Sequence, residues 1–183
     1  MAKEFLKGLS QAAYVEYGYA QVEPNHLSAQ RNGQVYGQLP AAEDIAVLEN
    51  GQFVKYDYAN GVCNFTGAGE WMLVLNEVKL YDTFWRESYK DYAMQKVNFD
   101  KGVMTPRVMK TMPGDIFTTN CIKMGNTSGK ATVEGEDLEV SDVLKINDQG
   151  YLATDGTSDI EFQVVKVYTM PDGQPAVKVM RIK

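Results

Sequence analysis

Turn signals recur along this chain at short intervals, and they restrict its fold more than any other feature. They are Asn50-Gly51, Asn60-Gly61, Pro113-Gly114-Asp115, Gly125-Asn126, Asp155-Gly156 and Pro171-Asp172-Gly173. Gly, Asn and Asp tolerate a positive φ and Pro presets the first corner of a turn, so each mark favours reversal of the chain. Between them lie runs of strand length: DIAVLE, QFVKYDY, VCNF, WMLVLNEVKL, TPRVMKTM, DIFTTNCI, IEFQVVKVYT and AVKVMRI. Short strands with regular turn signals point to an antiparallel barrel or sandwich rather than a βαβ array. Asn50-Gly51 predicts a two-residue type I′ hairpin between DIAVLE and QFVKYDY. The β-branched residues on both sides of MPDGQ predict a closing hairpin. The expected class is mainly β.

Two segments carry helical spacing. Phe5, Leu9 and Ala12/Ala13 fit one short amphipathic helix. Tyr81, Phe84, Trp85, Tyr89 and Tyr92 also recur at helical intervals, with Asp82 or Thr83 available as a cap. The β-like surroundings favour an extended connection for the second. At most one or two short helices are expected.

The first forty residues differ in texture from the rest. They are rich in Gln, Asn, Gly and Tyr and poor in Leu, Ile and Val. Such a stretch cannot form its own core and gains order by lying on its own domain or on a neighbour. Residues 1–40 are therefore read as an extended arm and residues 41–183 as the β-domain, a first strand pair turned at Asn32-Gly33 being the alternative. Tyr14, Tyr17, Tyr19, Val35, Tyr36 and Leu39 are the arm's candidate partner contacts.

The chain's 183 residues correspond to one domain, or one with an appendage. Eighteen basic and 24 acidic side chains give a net charge of −6. That balance disfavours general nucleic-acid binding, which needs clustered Lys and Arg. No apolar run approaches the roughly 20 residues that span a bilayer, so no membrane partner is expected. The opening residues lack the apolar segment of a signal peptide, and synthesis in a cytoplasm is expected. Cys63 and Cys121 are too few for a disulfide framework, and two buried free thiols are the expected state.

Catalytic parts are scarce. His26 is the lone histidine, with no ligand-spaced Cys, Asp or Glu beside it, and it is read as a surface residue. No GxSxG surrounds a serine. Gly67 and Gly69 in FTGAGEW lack the rest of a phosphate loop and are read as a turn into WMLVLNEV. The five carboxylates of TVEGEDLEVSDV do not follow calcium-loop spacing and are read as a solvated loop and edge strand. The sequons at Asn64 and Asn126 are attributed to chance. No catalytic, cofactor-binding or metal-binding residue is assigned, and the chain is not expected to be an enzyme.

A family resemblance rests on several phrases taken together. They are Asn76-Glu77 with Lys79-Leu80-Tyr81-Asp82, then Tyr89-Lys90-Asp91-Tyr92, Pro106-Arg107-Val108 and Gly114-Asp115-Ile116-Phe117-Thr118-Thr119-Asn120. With the arm phrase QRNGQVYGQLP, they resemble small virion-associated head proteins of tailed bacteriophages over about residues 28–125. The resemblance implies a structural protein, a decoration or cement protein on the capsid lattice. Its partners would be the major capsid protein or other virion proteins and further copies of itself, and its location the virion. The competing readings are a carbohydrate- or receptor-binding β module and an enzyme assembled in space around His26. The module needs an exposed row among Trp71, Trp85 and the tyrosines.

Overall fold

The computed structural model describes residues 22–26, 35–36, 39–76, 94–95, 104–123, 138–169 and 175–183. The first half supplies β1 (Val22–His26), β2 (Val35–Tyr36), β3 (Val47–Leu48), β4 (Phe53–Asp57), β5 (Val62–Asn64), β6 (Met72–Val74) and β7 (Met94–Gln95). The second supplies β8 (Val108–Met109), β9 (Ile116–Thr119), β10 (Ile122–Lys123), β11 (Val143–Ile146), β12 (Leu152–Ala153), β13 (Glu161–Thr169) and β14 (Pro175–Arg181). A seven-stranded sheet runs β1-β9-β14-β13-β11-β12-β10, and a five-stranded sheet runs β2-β8-β6-β4-β5. A small pair, β3-β7, stands beside them. Among the described strands every pairing is antiparallel except β10 with β12, and an isolated parallel bridge joins Ala41 to Cys63. The expected mainly β class holds, and no helix occurs among the described residues.

Strand alternation explains how the sheets stack. Phe53, Leu73 and Met109 lie side by side on one face of the five-stranded sheet. They pack into one buried cluster with Phe117, Ile122, Leu144, Leu152, Phe162, Val164, Val177 and Val179 of the seven-stranded sheet. Phe53, Phe117 and Phe162 meet at its centre, with ring centroids 5.5–6.5 Å apart. The opposite face carries Val54, Tyr56, Cys63, Met72, Val74 and Val108 in a second cluster, closed by Ile45, Leu48 and Met104. The five-stranded sheet is thus buried on both faces, which is why WMLV reads as an unbroken apolar run.

The closing hairpin forms as expected, β13 pairing β14 from Phe162↔Arg181 to Thr169↔Pro175. Its turn Pro171-Asp172-Gly173, the Gly125-Asn126 mark and the two helical candidates, apart from Met94–Gln95, lie outside the described residues. Asn60-Gly61 also reverses the chain. β4 and β5 pair from Asp57↔Val62, with Gly61 at φ 68. Asp57 anchors that turn, its carboxylate accepting from the Ala59 and Asn60 N–H groups and from the Asn60 amide at 2.7 Å. The Asn60 side chain above all holds the Asp57 carboxyl below its ordinary value.

Asn50-Gly51 does not make the expected hairpin. β3 pairs β7, and β4 pairs β5 and β6. Gly51 has φ 97 while Asn50 stays at negative φ, and the Gln52 N–H donates to the Glu49 carbonyl. Those signs match a type II turn, not type I′. The physical reason is burial. Asn50 is drawn inward by two bonds to the Asn76 backbone, accepting from its N–H at 2.7 Å and donating to its carbonyl at 3.1 Å.

A second expectation also fails. The strand entered from TVEGEDLEVSDV is not an edge, because β11 lies between β13 and β12. Its entry is a tight turn with Ser141 at φ 86, in which the Asp142 carboxylate accepts from the Glu139 N–H.

Candidate functional site

One end of the two-sheet stack opens into a cleft of about 540 Å³. Lys55, Phe65, Glu70 and Trp71 line the five-stranded side, and Asn147, Asp148, Thr157 and Asp159 face them from the other sheet. Backbone contacts fix both walls. Gly67 and Gly69 form the expected turn into β6, and they lie so close to Tyr56 that a Cβ at Gly67 would sit 2.7 Å from its carbonyl oxygen. Asn64 holds that turn by accepting from the Thr66 and Gly67 N–H groups, so its side chain is already engaged. On the far wall the Asn147 side-chain oxygen accepts from the Gln149 and Tyr151 N–H groups, and Ser158 Oγ accepts from the Ile146 N–H.

The cleft's floor is aromatic and its rim charged. The Lys55 ammonium stands 4.6 Å from the centre of the Trp71 ring, a cation–π contact. Trp71 is only 9% exposed. Its ring face is therefore not an open stacking platform, which removes it from the exposed aromatic row that a sugar-binding module was expected to need. Glu70 pairs with Lys110, whereas Asp148 and Asp159 make no ion pair among the described residues. Beside the cleft, the Arg181 guanidinium donates to the Thr111 carbonyl and hydroxyl and to the Lys183 carbonyl. Burial lowers the Arg181 pKa, while Glu70 and Asp115 act in the opposite direction.

The six candidate arm contacts are distributed unevenly. Tyr14, Tyr17 and Tyr19 lie outside the described residues. Val35 and Tyr36 form β2 on β8, and Leu39 packs against the second core cluster of its own chain. His26 ends β1 opposite Ile116. Cys63 and Cys121 are both buried and neither forms a disulfide. Among the described residues no three His, Cys, Asp or Glu side chains gather as a metal site.

Sequence reasoning missed the cleft, whose lining comes from four separated segments, and the hairpin β11–β12 behind it. The signal for that hairpin was INDQGY, where an Asn closes its own turn. Comparison with protein-family models, with curated proteins and with solved structures finds no match.

Proposed function

We propose that this chain is a structural protein of a tailed-bacteriophage head, a decoration or cement protein that binds the capsid lattice and performs no catalysis. One observation supports the reading above the others: both strands described within the first forty residues are outermost in their sheets. β1 lies on β9 at the margin of the seven-stranded sheet, and β2 lies on β8 at the margin of the five-stranded one. A marginal strand binds through its backbone and can pair with a neighbouring copy as readily as with its own sheet. Repeated over a lattice, such exchange multiplies avidity. Two of the phrases behind the family resemblance meet at residues that are described. The Arg107 N–H donates to the Asn76 side-chain oxygen at 2.8 Å, joining them.

The test is sedimentation of the full chain with phage heads that lack it. Co-sedimentation at a fixed number of copies per head is expected, and a chain that stays in the supernatant overturns the reading. A chain beginning at Ala41 should keep its melting transition and bind heads more weakly. Loss of the melting transition would show that the arm is core.

The cleft favours a second reading, a module for neutral saccharides. Lys55, the Asn147 side-chain nitrogen, Thr157 and the carboxylates of Asp148 and Asp159 offer mixed donors and acceptors for polar contact, the covered Trp71 ring taking no part in stacking. Glycan-dependent quenching of tryptophan fluorescence would favour it over the first.

A further inference from the structure

The chain holds three Asn-Gly pairs, and the two within the described residues, Asn50-Gly51 and Asn60-Gly61, stand in opposite environments with a chemical consequence. In such a pair the glycine nitrogen can attack the asparagine Cγ. A new C–N bond closes a succinimide, and the side-chain nitrogen leaves as ammonia. Water then opens the ring to aspartate or isoaspartate, with no change of oxidation state. Glycine favours this because no Cβ obstructs the approach, and the rate depends on whether nitrogen and carbon are free to meet.

At Asn50-Gly51 both reacting groups are held. Asn50 is buried with its amide oxygen and nitrogen each bonded to the Asn76 backbone. The Gly51 nitrogen donates to the Val74 carbonyl at 3.0 Å. At Asn60-Gly61 the turn is exposed, and the position a Cβ would take on Gly61 has nothing within 4 Å. The Gly61 N–H makes no hydrogen bond among the described residues. What restrains Asn60 is its solvent-exposed pairing with Asp57, which water competes for directly.

We infer that Asn60 is a site of spontaneous deamidation in the folded protein and that Asn50 is protected by the fold. The product places a second carboxylate against Asp57 and removes the amide donor that Asp57 now holds at 2.7 Å. The same turn carries Tyr58, which is 75% exposed, so the reaction alters the charge around this protruding aromatic.

The test is incubation of the native full chain at mildly alkaline pH, below its melting temperature, followed by peptide mass mapping. A parallel sample is held in urea. Residue 60 should convert in the native sample, with isoaspartate in its peptide, while residue 50 remains an amide. Both should convert in urea. Native conversion at residue 50 matching that at residue 60 would overturn the inference. So would a residue 60 that stays intact natively while the urea sample converts. In an Asn60→Gln chain the native conversion mapped to the peptide that holds residue 60 should be lost, and its persistence there would overturn the inference.

Discussion

The Phe53 N–H donates to the Gly150 carbonyl at 2.7 Å, fastening the five-stranded sheet to the β11–β12 turn of the seven-stranded one. The Gln52 side chain adds a second tie by donating to the Gln149 carbonyl at 3.1 Å. Gly150 is required there for two reasons. Its φ is 80, and a Cβ would strike the Phe53 carbonyl oxygen and come within 2.9 Å of the Phe65 ring.

Gly150→Ala should therefore cost about 3 kcal/mol, combining overpacking of roughly 1–3 kcal/mol with backbone strain of similar size. Gly114 provides the control, because its φ is 94 but nothing lies within 4 Å of its Cβ position. Gly114→Ala should show the strain alone, about 1–2 kcal/mol. Urea titration of the two variants checks the difference, and equal losses would show that the sheets are not locked at Gly150.

Asn50→Ala should destabilise the chain by about 2–4 kcal/mol, because it leaves the Asn76 N–H and carbonyl buried without partners. Asn76 lies two residues beyond β6, so the loss falls on the five-stranded sheet. Equilibrium unfolding measures it. A change under about 0.5 kcal/mol would mean that water replaces the lost amide.

Legibility in the sequence followed the reach of each signal. β13–β14 and β4–β5 could be read because strand pattern and turn residues lie within one short stretch. Asn50-Gly51 misled because the dipeptide reports a backbone preference, whereas the turn is set by an Asn76 backbone that lies 26 residues away. The β11–β12 hairpin was readable in principle from the Asn147 turn, but β12 spans only Leu152–Ala153. The cleft was not readable at all. Lys55 and Trp71 meet through neighbouring strands, and Asp148 and Asp159 face them from a different sheet. No local pattern encodes that meeting.

Arg181→Lys should lower stability by about 1 kcal/mol and the melting temperature by about 2–4 °C. A lysine keeps the charge but cannot reproduce the planar fork that reaches both the Thr111 oxygens and the Lys183 carbonyl. The affected contact pins β14 to the loop before β9, where Asp115 is itself buried and accepts from the Met112 N–H. Calorimetry checks the shift. An unchanged midpoint would show that the guanidinium geometry is unimportant there.

Cys63 sets an alkaline limit on stability. Its side chain is buried on the face of β5 that meets Tyr56, and burial pushes the thiol from its ordinary 9.0 up to about 11. Between those values the unfolded chain releases a proton that the folded chain keeps. The stabilisation from this group is therefore whole below pH 9, declines as pH rises towards 11 and is gone above that. At about 1.4 kcal/mol per pKa unit, the decline amounts to roughly 2–3 kcal/mol. Cys63→Ala removes the ionisation and leaves a small cavity in its place. The native chain should then be more stable than the variant at neutral pH, and the gap should shrink by the stated amount as pH rises from 9 to 11. Other groups that titrate in this range are shared by both chains and cancel in the comparison. Urea titrations at a series of pH values give the result directly, and a gap that stays constant across the range would show that the Cys63 thiol ionises as freely folded as unfolded.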